Sequence, residues 1–287
     1  MASLLRRTIV LGLAVLVMAT MGCSKKDKKT NPVVPSLTQE NADDLVQQAA
    51  MMIATDQGGW LIDVQSALES TPMEAPPAPL ARRLDLMPAS ASPIVRTLRD
   101  SSFTRAGMNY TFSMSYADTV DSTLWHPGVT TIDAVVHATG TLNSTGFTGF
   151  YKHDGDPVTL EWFEVGADTV VCSGVGDDSL FTTFTPTFRT GTRYFNSTSF
   201  VDFDFKMRRD PVAHPFPLAG EANAFMFADE LRTPNPSDYT NTLEGTVTFV
   251  FDGTQTPLVG VTNEFESTDF QYRYRVDLRT GAMTRQP

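Results

Sequence analysis

The chain has 287 residues, with 22 Lys/Arg against 33 Asp/Glu and a formal charge of −11. Residues 1–30 hold six Lys/Arg and one Asp, so the remainder carries 16 basic and 32 acidic residues, a charge of −16. A surface of that sign repels phosphate backbones and disfavours nucleic-acid binding, while the length leaves room for one large β domain or two small ones.

The first stretch in the chain is an apolar run. Arg6 and Arg7 are followed by residues 8–22, without a charge, and then by Cys23 and the polar string SKKDKKT. Only 15 residues separate Arg7 from Cys23. A helix needs about 20 apolar residues to span a bilayer, so this run is short for a span and fits a signal peptide over residues 1–22. An uncleaved membrane anchor, or a secretory signal cut elsewhere, is the alternative.

The residues before the cysteine, Ala19-Thr20-Met21-Gly22, resemble the lipobox of bacterial lipoproteins, with Thr20 where that family usually has Leu. The resemblance implies that Cys23 becomes the first mature residue and the lipid anchor, carrying acyl chains that attach the protein to a membrane. Ser24, in place of Asp, implies by the same resemblance forwarding to the outer membrane. The Arg6-Arg7-Thr8-Ile9-Val10 order faintly resembles a twin-arginine export signal, although general secretion fits better. One acyl chain binds a membrane marginally and two or more hold stably, so no transmembrane helix is needed. The lysines of the tether, residues 23–35, either face anionic headgroups or form a solvated spacer.

Beyond the tether, Ser36 and Gln39 have the spacing of a capping box. Ala42, Leu45, Val46, Ala49, Met52 and Ile53 follow at helical spacing, one apolar stripe that needs a surface to pack on. Gly58-Gly59 breaks the helix, and Trp60, Leu61, Val64 and Leu68 begin a second, so residues 36–70 form an N-terminal helical segment. Residues 71–93 contain six prolines and read as a linker or a strap.

The composition then changes. All 19 Phe and all seven Tyr lie beyond residue 102, and aromatic enrichment favours strands. Tyr110, Phe112, Met114 and Tyr116 alternate with polar residues, as do Leu243 to Phe251 and Phe270 to Leu278. Further strands are predicted near 130–139, 141–151, 157–165, 168–173, 179–188, 192–207, 219–228 and 257–266. Turn signals separate them at Asp154-Gly155, 174–178, 211–217 and Asp252-Gly253. The prediction is a mainly β domain over residues 94–287: an antiparallel meander, barrel or sandwich of about eleven strands, with the amphipathic helix packed on it. The helix stripe is expected on the face that includes Tyr272, Tyr274 and Val276.

No catalytic, cofactor-binding or metal-binding signature is present in the sequence. It contains neither a phosphate-cradling glycine loop, nor a zincin histidine pair, nor a nucleophile elbow. His126, His137, His153 and His214 are scattered. Asp154 with Asp156, and Asp177 with Asp178, sit near turn signals and offer fewer oxygens than calcium requires. Arg273, Arg275 and Arg279 read as a solvated strand face. Cys172 lies in an apolar run and, once Cys23 is acylated, has no partner for an internal disulfide.

Three functional classes remain. The first is an anchored binding or structural module for protein or glycan partners. The second is a carrier of lipid or another apolar ligand, loosely similar in architecture to the half-barrels of the Lol lipoprotein-carrier family. The third is a hydrolase with dispersed catalytic residues.

Overall fold

The computed structural model describes residues 37–70, 94–118, 131–155, 158–161, 168–263 and 269–287. The predicted signal peptide, Cys23, Ser36, the proline-rich segment and His126 lie outside the described residues. The helical segment and the strands belong to one unit, Ser36–Pro287.

Helix α1 spans Gln39–Ile53. Its cap is Thr38, whose side chain accepts a 3.2 Å hydrogen bond from the Asn41 amide, satisfying an amide that the first turn leaves unpaired. Gln39 donates to the Tyr274 hydroxyl at 2.7 Å, far across the sequence, and to Asp43 at 3.3 Å. After α1 a 3-10 turn, Thr55–Gln57, leads through Gly58 into helix α2, Leu61–Ser70. Two glycines make this corner. Gly58 adopts φ +84°, and a side chain on Gly59 would stand 2.3 Å from the Met52 carbonyl oxygen. The Trp60 amide can therefore reach that same carbonyl at 2.8 Å.

The strands form one antiparallel sheet: β1 Ile94–Arg105, β2 Met108–Asp118, β3 Thr131–Ser144, β4 Phe147–Gly155, β5 Val158–Glu161, β6 Thr169–Phe184, β7 Arg193–Arg208, β8 Ala219–Leu231, β9 Tyr239–Phe251, β10 Leu258–Thr262, β11 Tyr272–Val276 and β12 Met283–Arg285. They pair in sequence order, and only β5 leaves the path, pairing with β3 and β6. Among the described residues no pairing joins β1 to β12, so of the three predicted architectures the meander is the one formed.

Two predicted turns are corrected. Asp154-Gly155 ends β4 without a hairpin, because β4 and β5 follow one another in the same lane between β3 and β6. Residues 174–178 were also expected to turn, yet β6 runs through them as a 16-residue strand. Its partner β7 pairs with it from Thr169↔Arg208 to Phe184↔Arg193 without a break, and this continuous ladder overrides the local preference of Gly and Asp for turns. β1 was not among the predicted strands, and the predicted last strand is shorter: β11 stops at Val276 and β12 follows a turn.

Along β6 and β7 alternation puts a buried, mostly apolar row on one face. Phe147, Phe184 and Phe195 stack across β4, β6 and β7 with ring centroids 5.6 and 5.5 Å apart. Trp60, just before α2, lies on Phe203 at 5.2 Å, with Phe205 at 6.4 Å. Leu45, Ala49, Met52 and Ile53 of α1 share the buried core with Tyr274 and Val276, while Tyr272 packs against it partly buried. The predicted docking of the helix on the sheet is therefore observed, with α1 touching β8 to β12.

The stripe understates how deeply α1 is buried. Every residue from Ala42 to Ile53 is buried, including Asp43, Asp44, Gln47 and Gln48, which lie outside the stripe. Each of these four has partners. Asp43 accepts from Tyr274 at 2.8 Å and is paired with Arg285. Asp44 is paired with Arg189, in the connection between β6 and β7, and with Arg193, the first residue of β7. Gln48 accepts from Ser197, and Gln47 accepts from the Thr187 amide at 3.0 Å. Buried polar groups are tolerated only when paired in this way. Burial still raises the Asp44 carboxyl above its ordinary range, against the pull of the two arginines.

Candidate functional site

The chemistry of the interior is concentrated where β4, β6 and β7 meet α2. On β4, alternation sends Tyr151 and His153 to the apolar face and Lys152 and Asp154 to the outside. His153 lies directly opposite Asp178 of β6, and Asp178 directly opposite Ser199 of β7. One cross-strand row thus carries His, Asp and Ser side by side. Helix α2 brings Asp63 against this row, and α1 brings Met52.

Asp178 is the hub. It accepts from His153 Nδ1 at 2.7 Å and from the Tyr151 hydroxyl at 2.7 Å through Oδ1, and from Ser199 at 3.3 Å through Oδ2. With Nδ1 donating to Asp178, the other ring nitrogen, Nε2, faces Asp63 Oδ2 at 3.4 Å. Neither oxygen of Asp63 receives a hydrogen bond among the described residues. The His153 ring lies over the β6 backbone, because a side chain on Gly176 would come within 2.5 Å of Cε1. Gly176, which reads locally as part of a turn, is the residue that makes room for the imidazole.

All five side chains are withdrawn from solvent: Asp63 is 2%, His153 4%, Asp178 4%, Ser199 5% and Tyr151 0% exposed. Burial alone would push the imidazole down, but Asp178, its hydrogen bond and Asp63 outweigh it and His153 is pushed up to about 9. Burial pushes the Asp63 carboxyl up to about 7; the positive ring opposes this and Asp178 adds to it. Burial and the Asp178 charge raise the Tyr151 phenol well above its ordinary value. His153 is thus an imidazolium at neutral pH, held between two carboxyl groups.

The geometry is not that of an acyl-transfer triad. A nucleophilic serine must donate to the free nitrogen of the base, whereas Ser199 donates to the carboxylate and a second acid occupies the far side of the ring. The arrangement can instead tie a helix to a sheet through charge and hold protons between them.

The other sequence candidates are dispersed. His137 is exposed and lies 3.2 Å from Asp154, whose carboxyl is held down chiefly by Lys152. His214 lies in an exposed turn. Asp178 is buried while Asp177 faces outward, so the two do not converge on one cation. Arg275 pairs with Asp252 at 3.1 Å and Arg279 with Asp56 at 3.4 Å, which makes them ordinary surface pairs. Cys172 is fully buried, and burial raises its thiol far above the usual range, as for an inert core residue.

Sequence reasoning missed the Asp63–His153–Asp178 contact. A signal was available for one member: Phe147, Gly149, Tyr151 and His153 share one parity, which puts the histidine on the apolar face. Comparisons with protein-family models, curated proteins and solved structures find no match for this chain.

Proposed function

We propose that this chain is an exported lipoprotein, anchored in the bacterial cell envelope by acyl chains on Cys23 and forwarded to the outer membrane. Its β domain then serves as a non-catalytic binding or structural module. The anchoring rests on the short uncharged run between Arg7 and Cys23 and on the small Gly22 beside the cysteine. The module reading rests on one observation: α1 and α2 are buried against the apolar face of the sheet, so the chain's own side chains occupy the surface that a carrier would keep open. Partners, protein or glycan, would meet the loops and the outer face, where Phe150 and Tyr239 are more than half exposed.

A second reading, a carrier of lipid or another apolar ligand, is favoured by the state of Asp63. A carrier requires a helix that can leave the sheet, and α2 holds a buried carboxylate that has no hydrogen-bond donor among the described residues.

Anchoring is tested by Cys23→Ser. The variant is expected to lose fatty-acid labelling and to stop partitioning into detergent, because no thiol remains to acylate. A wild-type mature N-terminus at any residue other than Cys23 would contradict the proposal.

A further inference from the structure

We propose that Asp63, His153 and Asp178 form a proton-operated latch that holds helix α2 on the sheet and lets it go when the cluster loses its protons. The inference does not depend on how the protein is anchored or on what it binds.

The geometry sets the latch at one place. Asp63 is the charged group that α2 presents to the sheet interior, and it meets a ring fixed from behind by Asp178. The remaining groups facing the cluster are Tyr151 of β4, Ser199 of β7, Met52 of α1 and Tyr110 of β2, with Asp154 acting on the ring from the outer side of β4. Tyr110 donates to the Gly58 carbonyl at 3.0 Å, at the corner before α2. Among the charged groups acting on Asp63, His153 is the cation and Asp178 the other acid. Charge balance at the α2 contact therefore depends on one imidazole.

Three protonation states follow. In acid, Asp63 is neutral and faces an imidazolium already matched by Asp178. Near neutrality Asp63 ionises and shares the imidazolium. In alkali the ring loses its proton, and two buried carboxylates face each other across a neutral imidazole. Among the described residues Asp63 then has neither a cation nor a hydrogen-bond donor, and a buried charge in that state strongly favours a move into water. α2 is then held by its buried apolar side chains, Leu61, Ile62, Val64 and Leu68, by Trp60 just before it, and by a 2.8 Å hydrogen bond from Gln65 to the Pro215 carbonyl.

Asp63 is raised from 3.8 to about 7 where α2 holds it against the sheet and returns to its ordinary range in water, so the closed state binds more protons than the open one. His153 keeps Asp178 in both states and acts on closure through its charge beside Asp63. The contribution to closure is fully present in acid, falls as Asp63 titrates, and is lost as pH rises through about 9. Opening would uncover the Phe203 and Phe205 rings beneath Trp60.

Hydrogen exchange of the α2 amides on the full mature protein tests this, with the α1 amides as the internal reference. Between about pH 6 and about pH 9.5, after correction for intrinsic exchange, α2 protection is expected to fall about tenfold or more relative to α1. Asp63→Asn keeps the size of the side chain and removes its charge, so α2 should stay protected at both pH values. His153→Gln removes the cation that lets Asp63 ionise in place, so above neutrality α2 should lose protection at a lower pH than in the wild type. Parallel loss of protection in α1 and α2, or an unchanged pH dependence in Asp63→Asn, would overturn the latch.

Discussion

Asp178→Ala is expected to destabilise the fold by about 3–5 kcal/mol, the range found when one partner of a buried ion pair is removed. Three donors converge on this carboxylate, from His153, Tyr151 and Ser199. Its removal leaves an imidazolium facing only Asp63 and a phenol without an acceptor, all in an interior that water does not reach. A denaturant titration reads this as a lower midpoint with an unchanged slope. A loss below about 1 kcal/mol would mean that water enters the site and that the charges are not buried. Tyr151→Phe should cost less, because it removes one donor and leaves the ion pair intact.

Trp60→Ala should be of similar size, about 3–5 kcal/mol, for a different reason. The indole is 4% exposed and stacks on Phe203 with an interplanar angle of 13°. Truncation opens a cavity between α2 and β7 and removes an aromatic pair contributing about 0.5–1.5 kcal/mol beyond its area. Trp60→Phe keeps a ring on Phe203 and should recover much of the loss. Equal destabilisation by Phe and Ala would show that the stack itself contributes little and that the volume of the indole decides.

Strand alternation made most of the sheet legible in the sequence. The parity of Tyr110, Val247, Phe249, Tyr274 and Val276 places these residues on the buried face, as observed. The α1 stripe likewise indicated that the helix needed a surface. Other features depend on residues far apart in sequence, which local patterns do not register. The string Gly174 to Asp178 contains two glycines and two acids and signals a turn, yet β7 pairs along all of it and β4 along residues 176–178. Asp43, Asp44, Gln47 and Gln48 look like a solvated face, and only the positions of Ser197, Arg189, Tyr274 and Arg285 show why it is buried. The candidate site joins Asp63 of a helix to His153 and Asp178 of two strands, and no single motif spans those three positions.

The central claim is that the apolar face of the sheet is filled by α1 and α2 rather than by a ligand. Organic-solvent extraction of the purified mature protein, followed by mass spectrometry of both phases, tests it most directly. Extraction is expected to release no stoichiometric apolar molecule other than the acyl chains proposed for Cys23, which only hydrolysis would free. Release of one lipid or other apolar molecule per chain, with α2 losing exchange protection in the loaded protein, would contradict it and establish the carrier reading.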